Sequence, residues 1–309
     1  MAILPQLGRL KGLVRFRRQI IQLLAALLMN LNLPGFASGQ ISNSASKAIC
    51  ALGLNCYSCP GAVLSCPIGT LSTSLGALQR RLPFYLLGTL LAFGALLGRR
   101  ICGWLCPFGL VQELLAKLPL PKLPKSRWTR RLTWGKYLVL VGLVLAAPLI
   151  IQAVTGVATP AFCAWLCPAG TLSAGIPLVI LNPALRYLIG VQFGIKVGIL
   201  LVLLVACLFI YRPFCRWLCP LGALLSFFNG VALLRYRVSS ASCTNCGACV
   251  QSCKMDVQRV SDRECIQCGA CVTVCPEQAI CGLQKTLRSQ PIAAIKPEEA
   301  QLNQSEPQS

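Results

Sequence analysis

The 309-residue chain contains no histidine. That absence excludes His-ligated haem, His-containing zinc sites and Rieske-type clusters. Acids are nearly missing too: eight Asp and Glu stand against 29 Lys and Arg, and only 12% of residues are charged. A soluble domain carries about a quarter charged residues, so most of this chain is expected in lipid. Upstream of residue 236 the only acid is Glu113. Proton pumps and cation transporters need intramembrane carboxylates, which argues against ion pumping. An excess of +21 often signals nucleic acid. Here the bases flank apolar segments, the pattern that orients membrane proteins against anionic lipid, and no nucleic-acid partner is expected.

Four segments are apolar enough to cross a bilayer, which takes about 20 residues: 19–36, 82–98, 137–158 and 191–211. The first also has the basic lead and small-residue flank of a secretory signal; its long basic lead and the later spans favour an uncleaved anchor. Bases cluster before the first segment, after the second and after the fourth, while the connections after the first and third hold few. Positive loops stay inside. The expectation is a multi-pass plasma-membrane protein with both termini cytoplasmic, Arg80 and Arg81 lying at the outer headgroups.

A repeat runs through this region. Residues 66–73 read CPIGTLST and residues 167–174 read CPAGTLSA; each precedes a span and then a second motif, CGWLCPFG at 102–109 and CRWLCPLG at 215–222. Same-direction repeats are related by an axis along the membrane normal. The predicted fold is mainly α: about four transmembrane helices in two parallel repeats with re-entrant or amphipathic half-helices, then a small α+β bacterial-type ferredoxin domain. The boundaries expected are a basic cytoplasmic N-terminus (1–18), the duplicated membrane domain (19–235), the ferredoxin domain (236–283) and a disordered tail (284–309), which is rich in Gln, Ser, Pro and Glu.

Twenty cysteines are present. Disulfide scaffolds are small, polar and secreted, and the spacings here point to metal. Cys243, Cys246, Cys249 and Cys253 form C-x2-C-x2-C-x3-C, and Cys265, Cys268, Cys271 and Cys275 repeat it. In such runs three close thiolates hold one cubane and the fourth ligand comes from the other motif. One [4Fe–4S] cluster is therefore assigned to Cys243, Cys246, Cys249 and Cys275, the other to Cys265, Cys268, Cys271 and Cys253. Gly247 and Gly269 let the backbone turn around each. A zinc module would instead pair two C-x2-C knuckles across a longer loop. Pro276 follows the second motif, whereas Lys254 stands in the corresponding place after the first.

C-x-W-L-C-P occurs three times, at 102–107, 163–168 and 215–220. Cysteines four apart on a helical turn share a face, and the proline suits the first position of a following helix, whose positive end favours an anionic cluster. Cys102 and Cys106 with Cys215 and Cys219 make an inner set of four thiolates, with Arg99, Arg100, Arg212 and Arg216 close in sequence. The outer set has five candidates for four places: Cys163, Cys167, Cys66, Cys56 and Cys59, because Ala62 stands where the partner of Cys66 is expected. One or two further [4Fe–4S] clusters are expected, with disulfides still open for the outer cysteines and buried free thiols for the inner. Cys50, Cys207 and Cys281 are assigned no role. Trp104, Trp165 and Trp217 either shield clusters or anchor at the interface; Glu113 either accepts a quinol proton or snorkels at the surface.

Paired C-x3-C-P motifs followed by a double ferredoxin run resemble the NapH/NosR-type membrane 4Fe-4S binding proteins over roughly residues 80–280. The resemblance implies a quinol dehydrogenase or electron conduit serving reductases outside the cytoplasm, with quinone and reductase or flavoprotein subunits as partners. The family's paired motifs map onto Cys102/Cys106 and Cys215/Cys219, and its ferredoxin ligands onto the eight cysteines above. The outer cysteines depart from that pattern, and any flavin is expected on a partner. The expected function is an electron relay between a cytoplasmic partner, membrane clusters and quinone or an outer acceptor. A quinol dehydrogenase subunit and a redox-sensing or maturation accessory are the alternatives, and no catalytic residue is assigned.

Overall fold

The computed structural model describes residues 3–41, 44–51, 53–76, 84–187 and 189–282, with side chains of the first helix described from Phe16. Arg80, Arg81, the start of the second apolar segment and the tail 284–309 lie outside the described residues, as do the side chains of Arg9, Lys11 and Arg15.

Helix α1 (Ile3–Met29) joins the basic lead to the first apolar segment. The segment expected at 19–36 is not one helix. Met29 ends α1, and a short helix restarts at Leu33–Ser38 with Pro34 in its first turn, where a missing N–H costs nothing. Next come α2 (Pro67–Gly76) and α3 (Phe84–Leu97), then α4 (Arg100–Trp104) and α5 (Pro107–Leu115). The second half follows with α6 (Arg127–Thr155), α7 (Ala161–Trp165), α8 (Pro168–Leu181) and α9 (Val191–Phe209). It closes with α10 (Pro213–Trp217) and α11 (Pro220–Phe228).

Among the described residues, α6 and α9 are long and apolar enough to cross a membrane, while α3 and α8 are shorter apolar helices. Leu138, Val141, Ile150 and Val154 on α6, and Val191, Ile195, Val202 and Val205 on α9, are exposed. Both α6 and α8 widen to i→i+5 bonding, over Leu140–Ala146 and Thr171–Gly175. Each stretch lies just before a proline, Pro148 or Pro177. A proline ring crowds the carbonyl four residues back, here Val144 or Ser173, and the wider turn accommodates it.

The three C-x-W-L-C-P motifs form one repeated turn. Leu105, Leu166 and Leu218 end α4, α7 and α10 at φ −121°, −119° and −123°. Cys106, Cys167 and Cys219 then take extended backbone and cap α5, α8 and α11, each of which begins on the proline. The two cysteines of a motif therefore do not share a helical face as spacing alone predicts; they belong to two helices meeting at a corner. One buried core runs from Leu54, Cys66, Phe162 and Cys167 to Cys102, Cys106, Phe214 and Cys219, and on to Met255 and Ile266. The chain ends in a cysteine-rich unit with α12 (Ala248–Gln251) and an antiparallel pair, β1 (Arg237–Val238) on β2 (Ile280–Cys281).

Candidate metal centres

The eight ferredoxin-type cysteines line two cavities. Cys243, Cys246, Cys249 and Cys275 surround one of about 260 Å³. Cys253, Cys265, Cys268 and Cys271 line the other, of about 340 Å³. Three cysteines of one motif thus meet the last cysteine of the other. Gly247 and Gly269 adopt φ of 72° and 80°, the left-handed region open to glycine. Burial pushes the Cys253 thiol up to about 12, so a thiolate there needs positive charge beside it, which iron supplies.

The inner motifs converge. Cys102, Cys106, Cys215 and Cys219 are all buried and within electrostatic reach of one another. The two halves are laced reciprocally. Arg99, three residues before Cys102, donates to the Cys215 carbonyl at 3.4 Å; Arg212, three before Cys215, donates to the Cys102 carbonyl at 2.7 Å. Neither arginine has any exposed surface. Each has its own carboxylate: Arg99 donates to Glu264 at 3.0 Å and Arg212 to Glu113 at 2.9 Å. Glu113 also pairs with Arg18 and is buried, so it does not snorkel at the surface. Gly109 leaves room for the crossing, since a Cβ there would stand 3.1 Å from the Arg212 guanidinium.

This arrangement suits a sulfur-rich anion. The Nε–H groups of Arg99 and Arg212 are buried without an acceptor among the described residues, and an unpaired buried donor is costly. Gln112 donates Nε2–H to Cys215 Sγ at 3.1 Å, and the Gly222 amide donates to Cys219 Sγ at 3.4 Å. Among the described residues no three Cys, Asp or Glu side chains close on one point as they would around a single ion.

The cysteine-rich unit sits on the inner motifs. Gly103 packs against the Ile266 carbonyl so closely that no side chain fits between them. Trp104 donates Nε1–H to the Gln267 carbonyl at 2.8 Å, and Asn229 donates to the Cys265 carbonyl at 3.0 Å. Lys136 and Arg99 both grip Glu264; burial raises that carboxyl, but the two cations outweigh it and hold it below its usual range. Arg216 pairs with Asp256, while Arg100 donates to the Tyr236 hydroxyl at 3.2 Å. Of the four arginines expected beside the inner thiols, Arg99 and Arg212 contact the motifs' own carbonyls, whereas Arg100 and Arg216 hold the docked unit.

On the other side, Cys56, Cys66, Cys163 and Cys167 line one cavity of about 600 Å³. Cys59 does not line it: it packs with Ala62 and Ala174, with Cys56 against that cluster, and lines a neighbouring cavity with Ser173 and Pro107. Trp165 is 46% exposed, as an interfacial anchor is, while Trp217 donates to the Thr129 carbonyl at 3.0 Å. Cys50 and Cys207 are buried singly and Cys281 lies in β2. Sequence reasoning missed the roles of Gln112, Asn229, Gln267, Glu264 and Asp256. One signal was available for the arginines, because Arg99 and Arg212 stand at the same offset from their motifs.

A 4Fe-4S binding domain family matches residues 82–126, 140–179 and 194–238, and a second 4Fe-4S binding domain matches 259–280. Two uncharacterized proteins of Methanocaldococcus jannaschii are similar. One is 32% identical over 56% of this chain and 57% of its own length, the other 30% identical over 61% and 70%. The methylamine utilization ferredoxin-type protein MauN of Methylorubrum extorquens is 32% identical over 50% of this chain and 47% of its own length. The chain thus spans between 47% and 70% of these three relatives. No solved structure matches it. Fold, cages and comparisons together define an iron–sulfur protein. The chain belongs to the NapH/NosR-type membrane 4Fe-4S binding proteins.

Proposed function

We propose that this chain relays electrons between a cytoplasmic partner and the membrane interior. [4Fe–4S] clusters, when bound, supply the one-electron chemistry; the chain supplies ligands, burial and local charge, which set potential and separation. The single observation that carries this reading is the seam between Trp104 and Gln267. It joins a loop bearing two thiols of one ferredoxin cage, Cys265 and Cys268, to the inner motif bearing Cys102 and Cys106. The three cages then stand in series, with Cys243, Cys246, Cys249 and Cys275 outermost. Cys246 is exposed, which suits entry from a soluble partner or a flavoprotein subunit.

Contacts of three helices, α1, α6 and α9, support a shared side for the ferredoxin unit, the start of α6 and the end of α9. Arg18, midway along α1, contacts Glu113 beside the ferredoxin seam, and Met29 at the C-terminal end of α1 accepts from Val63. Thr129 at the start of α6 donates to Asp256, and Phe209 at the end of α9 accepts from Leu123.

A second reading, a quinol dehydrogenase subunit, is favoured by an apolar cavity of about 780 Å³ lined by Leu28, Met29, Phe84, Tyr85, Phe93 and Leu105. Leu105 adjoins Cys106, so an isoprenoid quinone seated there would lie beside the inner cage. Anaerobic redox titration followed by electron paramagnetic resonance tests both readings. The wild type is expected to display the ferredoxin signals and at least one more, which Cys102→Ser and Cys215→Ser remove. If those variants keep every signal, the inner cage holds no cluster and a tethered ferredoxin remains. Reduction of the centres by a short-chain quinol, blocked by quinone analogues, selects the dehydrogenase reading; no reduction by any quinol leaves the relay.

A further inference from the structure

Beyond the inner relay, the other end of the membrane body carries a second cage built on the same turn. Cys163 and Cys167 occupy the C-x-W-L-C-P corner at φ, ψ values matching the two inner copies: Leu166 at −119°, −26° and Cys167 at −62°, 105°, beside Leu218 at −123°, −19° and Cys219 at −73°, 110°. The Gly170 amide donates to Cys167 Sγ at 3.4 Å, the same bond at the same length as that from Gly222 to Cys219 Sγ. Opposite stands Cys66, just before α2. Thr70 Oγ1 donates to the Cys66 carbonyl at 3.0 Å, as Thr171 Oγ1 does to that of Cys167 at 3.1 Å. Two helices of more than two turns, α2 and α8, thus start at the same cavity.

The glycines of CPIG and CPAG face the thiols. A Cβ on Gly69 would stand 3.5 Å from Cys163 Sγ, and one on Gly170 would stand 3.4 Å from Cys56 Sγ and 3.7 Å from Cys167 Sγ. Side chains at either position would take up the space among the sulfurs. The charge around the cavity is of one sign. Lys47, which is buried, donates to the Tyr57 carbonyl at 2.8 Å, and Lys196 donates to the Cys163 carbonyl at 3.1 Å. Both line the cavity, and among the described residues no acid does.

We infer that Cys56, Cys66, Cys163 and Cys167 bind a further [4Fe–4S] cluster, with Lys47 and Lys196 offsetting its negative charge, and that Cys59 is not a ligand. Cys56 takes the place left by Ala62, which is fully buried against Cys59. The inference rests on the proposed reading of the inner cage only in that both use one turn, and the outer site stands or falls separately.

Iron and acid-labile sulfide analysis with electron paramagnetic resonance, on anaerobically purified full-length chain, separates the outcomes. The wild type and C59S are expected to hold about sixteen irons, and C56S and C163S about twelve, four per cluster. The ferredoxin and inner signals, unchanged, report that the variants are folded. Iron lost in C59S but kept in C56S overturns the ligand assignment. About twelve irons in the wild type, falling to about eight in C102S, overturn the outer site and leave the relay intact. About eight in both overturn both. A measurement on the wild type alone covers variants that fail to fold. After anaerobic iron removal and denaturation without reductant, mass spectrometry is expected to find Cys56, Cys66, Cys163 and Cys167 alkylated. A disulfide among them overturns the inference.

Discussion

At the scale of single residues, potential is set by what touches sulfur. The Gln112 bond to Cys215 Sγ, 3.1 Å long and fully buried, stabilises the more negative form of whatever the thiolate binds. Removing it in Gln112→Leu is worth about 1 kcal/mol, or roughly 40 mV for one electron. A downward shift of that size in one midpoint potential, with the ferredoxin potentials unmoved, is the expected titration result. Gly109→Ala tests the arginine lacing. The added methyl would stand 3.1 Å from Arg212 and 3.2 Å from the Cys102 carbonyl, and overpacking of this kind costs about 1–3 kcal/mol. Lower iron retention on dilution under anaerobic conditions would reveal it.

At the scale of elements, the fold rests on a corner used three times. Its composition was legible in the sequence, and its shape was in reach. Cys106, Cys167 and Cys219 each precede proline, a setting that disfavours helix at the preceding residue, so the backbone leaves the helix there and the two thiols come to flank a bend. Spacing of four residues reads as a helical face, whereas the two cysteines of each motif flank a corner between helices. Less could be read of the seam. Nothing local in Glu264 says that Lys136 and Arg99, each more than a hundred residues away, will surround it; long-range pairing of charges leaves no periodic trace. The seam makes its own prediction. Glu264→Gln leaves two buried cations without their carboxylate, a loss of about 3–5 kcal/mol. Faster hydrogen exchange at the amides of residues 265–268, with α6 and α9 unchanged, is the expected outcome.

At the scale of the whole molecule, the cages are close to one another. Gly53 abuts the inner motif, since a Cβ there would lie 3.1 Å from the Cys106 Cα. Cys56 lies three steps along the chain from Gly53; at no more than ~3.6 Å per residue, the Cα atoms of Cys56 and Cys106 lie within roughly 16 Å. That is about half of a 30 Å hydrocarbon core, and the shared buried core that holds Leu54, Cys66, Cys106 and Cys167 spans the gap. Electrons could cross such a core through cages sunk toward its midplane or through a bridging quinone; this proximity favours the first. Stripping iron with a chelator is expected to release residues 236–282 first, seen as new protease cleavage there while the apolar helices resist. The crossed arginines carry one more consequence, concerning biogenesis. Two thiols and one guanidinium of the inner cage lie in each half of the chain, so a ribosome that has delivered only the first half has delivered no complete receptacle. On the proposed reading, loading of the inner cage must wait until Cys219 has been made, so an assembly factor would act on a chain that already carries both motifs.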